Sequence, residues 1–110
     1  RAVDAAYLVN REGRFLYVNT KTTRIFGYSY DEMLSMKIPD IDSRFQPPQS
    51  GSWKDHLNDI RIKGAMIFKT GQKRKDGMVV PVQITAHHLN YAGKEYIWAF
   101  LRETQKSDIY

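Results

Sequence analysis

The chain reads as an α+β domain: a five-stranded antiparallel sheet with several short helices and one longer helix packed on one face. Three observations predict this. Two short apolar runs near the N-terminus flank a glycine-containing turn. Helical periodicity then comes in pieces, each with its own cap or breaker. The last third is a run of strand-like segments joined by Asp76-Gly77 and Ala92-Gly93.

The elements follow in order. Ala5 to Val9 and Phe15 to Val18 are strand-like around Asn10-Arg11-Glu12-Gly13, whose glycine supplies positive φ. A brief helix from Asn19-Thr20 through Ile25 and Phe26 stops at Gly27, at the C′ position. Ser29-Tyr30-Asp31-Glu32 fits a capping box, the serine hydroxyl capping the helix while Glu32 reaches back to the Ser29 amide. That helix carries Met33, Leu34 and Met36, and Pro39 with Asp40-Ile41-Asp42 breaks it. Pro47-Pro48 and Ser50-Gly51-Ser52 make an irregular loop.

Trp53 to Lys63 is the strongest helix. Ser52 caps it, Trp53, Leu57 and Ile60 recur on one face with His56 beside them, and Gly64 ends it. Ala65 to Lys75 and Met78 to Leu89 flank a two-residue Asp76-Gly77 turn, and Tyr91 to Arg102 forms the last strand. In the middle strand Val80, Val82 and Ile84 face one way and Pro81, Gln83 and Thr85 the other.

Composition narrows the function. The 110 residues are 42% hydrophobic and 13% aromatic, enough for one core and one domain over 1–110, which we expect to be cut from a longer protein. No cysteine is present, which excludes disulfides, zinc-thiolate sites, iron–sulfur clusters and a cysteine nucleophile, and suits a reducing cytoplasm. No apolar run reaches membrane-spanning length, so no membrane contact is expected. The net charge of +5 permits an anionic partner. Yet Lys73, Arg74 and Lys75 enter a tight turn, where side chains alternate faces instead of lining a phosphate-tracking groove. We expect no nucleic-acid partner. There is no phosphate loop, nucleophile elbow or H-E-x-x-H, and Asp40 and Asp42 lack a partner base, so the domain is expected to be non-catalytic.

Five phrases in this order carry a resemblance: DAAYLVNREGRFLYVN (4–19), FGYSYDEM (26–33), the W-x-x-H-L helix ending KG (53–64), KRKDGMVVPVQI (73–84) and GKEYIWAFLRE (93–103). The chain resembles a PAS domain along nearly its whole length. The resemblance implies a sensory module of a prokaryotic signalling protein, a sensor histidine kinase before a diguanylate cyclase. It also implies a small-ligand pocket between sheet and helices, and dimerisation through the outer sheet face and flanking helices. Without a cysteine, a flavin–cysteine photoadduct is excluded. At the C-terminal end, Arg102-Glu103-Thr104-Gln105 stands where the family often has Arg-Asp-Ile-Thr, so Glu103 takes the place of the acid and the Ile-Thr pair is missing.

The pocket candidates are Tyr17, Asn19, Phe26, Met33, Met36, Trp53, His56, Phe68, His88 and Trp98, a mainly apolar set with a few polar handles. The same residues would equally fill a core. His56 lies near the haem ligand of some PAS proteins, but its W-x-x-H-L phrase is similar to a structural helix of members without haem, so haem is not expected. His87 and His88, as strand neighbours, face opposite ways and do not share a metal ion; alternation from Val80 turns His88 inward. The last strand is apolar on both faces, with Tyr96, Trp98 and Phe100 on one and Ile97, Ala99 and Leu101 on the other. Its outer face therefore needs a cover, a partner subunit or a flanking helix; of the two we expect a homodimer, with the parent's output domain as a further partner. The alternative is a ligand-free dimerisation and relay module whose cavity is packed shut.

Overall fold

The computed structural model describes residues 4–105, so the ends of the expected 1–110 domain, residues 1–3 and 106–110, lie outside the described residues. The strands are β1 (Ala5–Asn10), β2 (Phe15–Val18), β3 (Ala65–Lys73), β4 (Val79–Tyr91) and β5 (Lys94–Glu103). The helices are α1 (Thr20–Phe26), α2 (Tyr30–Leu34), α3 (Ile38–Ile41) and α4 (Trp53–Lys63), with a 3-10 turn over Ser43–Phe45. The sheet is five-stranded and antiparallel throughout, in the order β2-β1-β5-β4-β3. β5, last in sequence, is therefore the central strand.

Local chemistry sets the helix ends. Asn19 caps α1 by accepting from the Thr22 amide, and Gly27 closes it at φ 78°. Asn19 Oδ1 also accepts from the Ala6 amide, and its Nδ2 donates to the Asp4 carbonyl, so this cap pins α1 to β1. The Ser29–Glu32 capping box forms in both directions. Ser52 caps α4 through the Asp55 amide. The second helix ends earlier than expected, leaving Met36 beyond it. Pro39 does not simply break a helix: it sits in the first turn of α3, where a missing amide donor costs nothing.

The β3–β4 hairpin differs from a two-residue turn. Arg74 and Met78 close the ladder and Lys75, Asp76 and Gly77 form the loop, with the Gly77 amide on the Arg74 carbonyl and Gly77 at φ 90°. This is the three-residue hairpin with glycine in the left-handed position. Its tip is tied down: the Lys75 amide donates to the Phe26 carbonyl at the end of α1, and its Nζ pairs with Glu32 at 2.7 Å. Arg74 pairs with Asp76 at 3.3 Å. Lys75 is thus a latch between the hairpin and α1–α2.

The core lies between the sheet's inner face and the helices. Tyr7, Val9, Phe15, Val82, Ile84, Ile97, Ala99 and Leu101 supply the sheet side, and Phe26, Met33, Ile38, Leu57 and Ile60 the helix side. The other face carries Tyr17, Trp98, Phe100 and Ile67, half-buried or exposed. Among the described residues, no helix is long and apolar enough to cross a membrane.

Candidate functional site

The site begins at Asp42. α3 ends there, the Lys37 amide having opened it by donating to Asp40 Oδ2. Asp42 then caps the 3-10 turn through the Arg44 amide at 3.0 Å. Its backbone bridges that of Gln72 in β3, which carries the carboxylate into the interior. There Thr70 Oγ1 donates to Oδ1 at 2.8 Å and Gln72 Nε2 to Oδ2 at 3.1 Å. Asp42, Thr70 and Gln72 are all buried. A charge this deep persists only with full hydrogen bonding, and here it has it.

Arg44 completes the arrangement. Its Nε and Nη2 meet Asp42 Oδ1 and Oδ2 at 3.1 and 3.2 Å, a bidentate pair. The guanidinium carbon lies 4.4 Å from the Phe68 ring centroid and 4.9 Å from that of Phe45, cation–π distances. Nη1 is 3.4 Å from His56 Nδ1. A guanidinium only donates, so Nδ1 accepts and the imidazole carries its proton on Nε2, a tautomer assigned from the partner. Burial first, and the Arg44 charge second, push the His56 pKa down to about 4. His56 is therefore neutral at pH 7. Phe45, Trp53 and Phe68 surround it at centroid distances of 5.7, 5.6 and 5.0 Å.

Tyr7 enters from β1. Its hydroxyl accepts from Gln72 Nε2 at 3.3 Å, and burial pushes the phenol's pKa up. Gln72 Oε1 is buried without a hydrogen-bond partner among the described residues.

These groups border an interior cavity lined by Tyr7, Ile38, Arg44, Trp53, His56, Ile60, Phe68, Ile84, Ala86, Ile97 and Ala99. Its free space is about 10 Å³, room for about one water molecule.

The ten residues singled out from sequence fall into separate places. Trp53, His56 and Phe68 come together at the cavity. Phe26 and Met33 are fully buried core, and Met36 packs against it. Asn19 is the α1 cap. Tyr17 and Trp98 correct the expected wall: they stack at 6.0 Å on the opposite face of the sheet. The reason for Tyr17 is a β-bulge. Val9 pairs with Phe15 and Leu8 with Tyr17, so Leu16 is the extra residue that reverses the alternation. Trp98 pairs across with Leu8 and His87 on that same outer face.

His88 does turn inward, but beyond the cavity. Its side chain is 8% exposed and its Nε2 lies 2.8 Å from Glu95 Oε2, which Arg61 of α4 also clamps. The Arg61 hydrogen bonds first, and His88 second, hold the Glu95 pKa down to about 2. His87 meets Phe100 on the outer face, so the two neighbours diverge as alternation requires.

Sequence reasoning missed Tyr7, Arg44, Asp42, Thr70 and Gln72 as parts of the site. The signal for the last two was present: Met66, Phe68, Thr70 and Gln72 share one parity along β3. Nothing local marked Arg44.

Known proteins resemble the chain over most of its length. The methyl sulfide methyltransferase-associated sensor of Methanosarcina acetivorans is 29% identical over 101 residues, 91% of this chain. The chain spans 10% of that protein's length. A solved PAS domain from a two-component sensor histidine kinase is 31% identical, with a TM-score of 0.81 over 94% of this chain and 86% of the other. A domain of the sensory box sensor histidine kinase/response regulator from Geobacter sulfurreducens is 27% identical, with a TM-score of 0.70 over 89% of this chain and 82% of the other. The family described as PAS domain matches residues 3–105. Matched over nearly its whole length, and with β5 central in a five-stranded antiparallel sheet, the chain belongs to the PAS domain family.

Proposed function

We propose that this PAS domain is the sensory module of a cytoplasmic sensor histidine kinase, binding a small molecule in its interior cavity and passing the change to a dimer interface on the outer sheet face. One observation carries the reading. β5 is central in the sheet, and its residues alternate between the two places: Ile97 and Ala99 line the cavity while Trp98 and Phe100 stand outside. A push on the inner side chains displaces the backbone that presents the outer ones.

The outer face supports the dimer. Tyr17, Trp98 and Phe100 form a stacked and edge-on aromatic row, 6.0 and 5.5 Å between centroids. Ile67, Leu89 and Tyr91 extend it and are 69%, 43% and 74% exposed. Apolar patches of this kind favour a partner surface. PAS neighbours from sensor histidine kinases support the type of parent.

A second reading rests on the cavity's size. With room for about one water, the domain is a relay whose interior is packed shut, dimerising without a ligand. Native mass spectrometry of the gently purified domain, set against its denatured mass, separates the two. Extra mass lost on denaturation supports the sensor; a bare dimer mass supports the relay.

A further inference from the structure

The polar groups around the cavity are spent unevenly. Asp42 is saturated, its two oxygens accepting from Thr70 Oγ1, Gln72 Nε2 and the Arg44 amide, Nε and Nη2. Nothing remains on it for a ligand's donor. Arg44 commits Nε and one Nη2 hydrogen to Asp42 and one Nη1 hydrogen to His56, leaving one N–H on each terminal nitrogen without a partner among the described residues. His56 accepts at Nδ1, so its Nε2 only donates. The Gln72 amide must turn its nitrogen to the Asp42 carboxylate, so Tyr7 Oη accepts from it and keeps its own hydrogen to give. All three polar cavity-lining residues with a spare group therefore offer donors.

We infer that this interior site takes a short-chain carboxylate, its oxygens held by Arg44, His56 and Tyr7 and its alkyl tail against Ile60, Ile84 and Ile97. The inference rests on the reading of the cavity as a ligand site and deepens it. An ionised carboxylate only accepts, and unlike a ketone or an ester it offers two oxygens that match a guanidinium fork. An amine would set donors against donors and bring a second positive charge to Arg44 while Asp42 is already saturated. An alcohol or amide would bring a hydrogen with no free acceptor to meet it; Gln72 Oε1 is unpartnered, but Gln72 does not line the cavity. Several hydrogen bonds stabilise a bound carboxylate without a further cation. The free space of about 10 Å³ is smaller than such a ligand, so binding selects a state in which Ile60 has drawn back from Ile84 and Ile97 while the Asp42–Arg44 pair stays closed.

Four probes of one skeleton and four headgroups test this: propionate, propionamide, 1-propanol and propylamine, titrated into the 110-residue chain while the Trp53 indole and His56 ring resonances are followed by NMR. Propionate alone should shift both saturably. Tyr7→Phe and His56→Phe should each weaken it about fivefold to tenfold, the loss of one hydrogen bond. These variants leave the Asp42–Arg44 pair in place, whereas replacing Arg44 strands a buried acid. If the amide, alcohol or amine binds as well as propionate, the carboxylate class falls while the interior site stands. If none of the four moves either resonance, both readings fall. Propionate binding undiminished in both variants also overturns the assignment.

Discussion

Asp42 and Arg44, two positions apart, form a bidentate ion pair at 3.1 and 3.2 Å whose acid end is fully buried and whose basic end is 31% exposed. The pair joins the α3 end to β3 through Thr70 and Gln72 and holds the guanidinium over Phe68. Asp42→Asn keeps the shape but removes the charge and turns a donor toward donors. Breaking a buried pair typically costs about 3–5 kcal/mol, and partial exposure of Arg44 places this one near or below the lower end. We expect a loss of about 2–3 kcal/mol in urea unfolding. A loss under about 0.5 kcal/mol would make the pair a bystander.

His56 should give acid sensitivity. Its ordinary pKa of 6.5 falls to about 4 in the folded chain, through burial and then Arg44, with Asp42 and Asp59 opposing. Between those values the unfolded chain binds the proton first, so this contribution to stability is intact above pH 6.5 and is lost as pH falls toward 4. The stability difference between the wild type and His56→Phe, measured by urea unfolding from pH 7 to pH 4, should shift against the wild type in acid. A difference independent of pH would contradict the neutral, Arg44-facing imidazole.

Gly13 is required twice over. Its φ is 82°, and an added Cβ would lie 3.1 Å from Trp53 Cε2 and 3.3 Å from Pro39 Cδ. Trp53 cannot easily give way, since its Nε1 donates to the Arg11 carbonyl at 2.8 Å. Gly13→Ala should cost about 1–3 kcal/mol in thermal or urea unfolding. Gly77 has φ 90° with open space around it, so Gly77→Ala should cost less.

Substitution of Trp98 tests the proposed association apart from folding. Trp98 is half-buried against Tyr17 and Phe100 on the outer face. Trp98→Glu should raise the dimer dissociation constant at least tenfold in sedimentation velocity, placing a charge in an apolar contact. Secondary structure by circular dichroism should stay unchanged. Unaltered self-association would remove this face from the interface.

What the sequence disclosed was mostly local. Ser29 with Glu32, Ser52 before Trp53, and Gly27 after Phe26 act on their own neighbours within a few residues, and their caps formed as the pattern demands. Longer-range placement was less legible. Leu16 as a bulge depends on how β1 pairs with β2, which four residues of β2 cannot specify. β5 is apolar on both faces, so its sequence does not say that Trp98 looks out and Ile97 in. Alternation turned His88 the right way but could not show that its end of β4 meets the C-terminus of α4, where the His88 amide bonds the Gly64 carbonyl. Arg44 had no local mark at all. Its position follows from an acid buried by β3 residues about thirty positions away.

The central claim is that β5 couples the cavity to the outer face. The direct measurement is the dimer dissociation constant of Ile60→Phe, a substitution on α4 that enlarges a cavity-lining side chain far from the outer aromatic row. Overpacking should press on Ile97 and Ala99, at a stability cost of about 1–3 kcal/mol. The account predicts a dissociation constant changed threefold or more, roughly 0.6 kcal/mol, with folding otherwise intact by circular dichroism. An identical constant in a folded variant would contradict it.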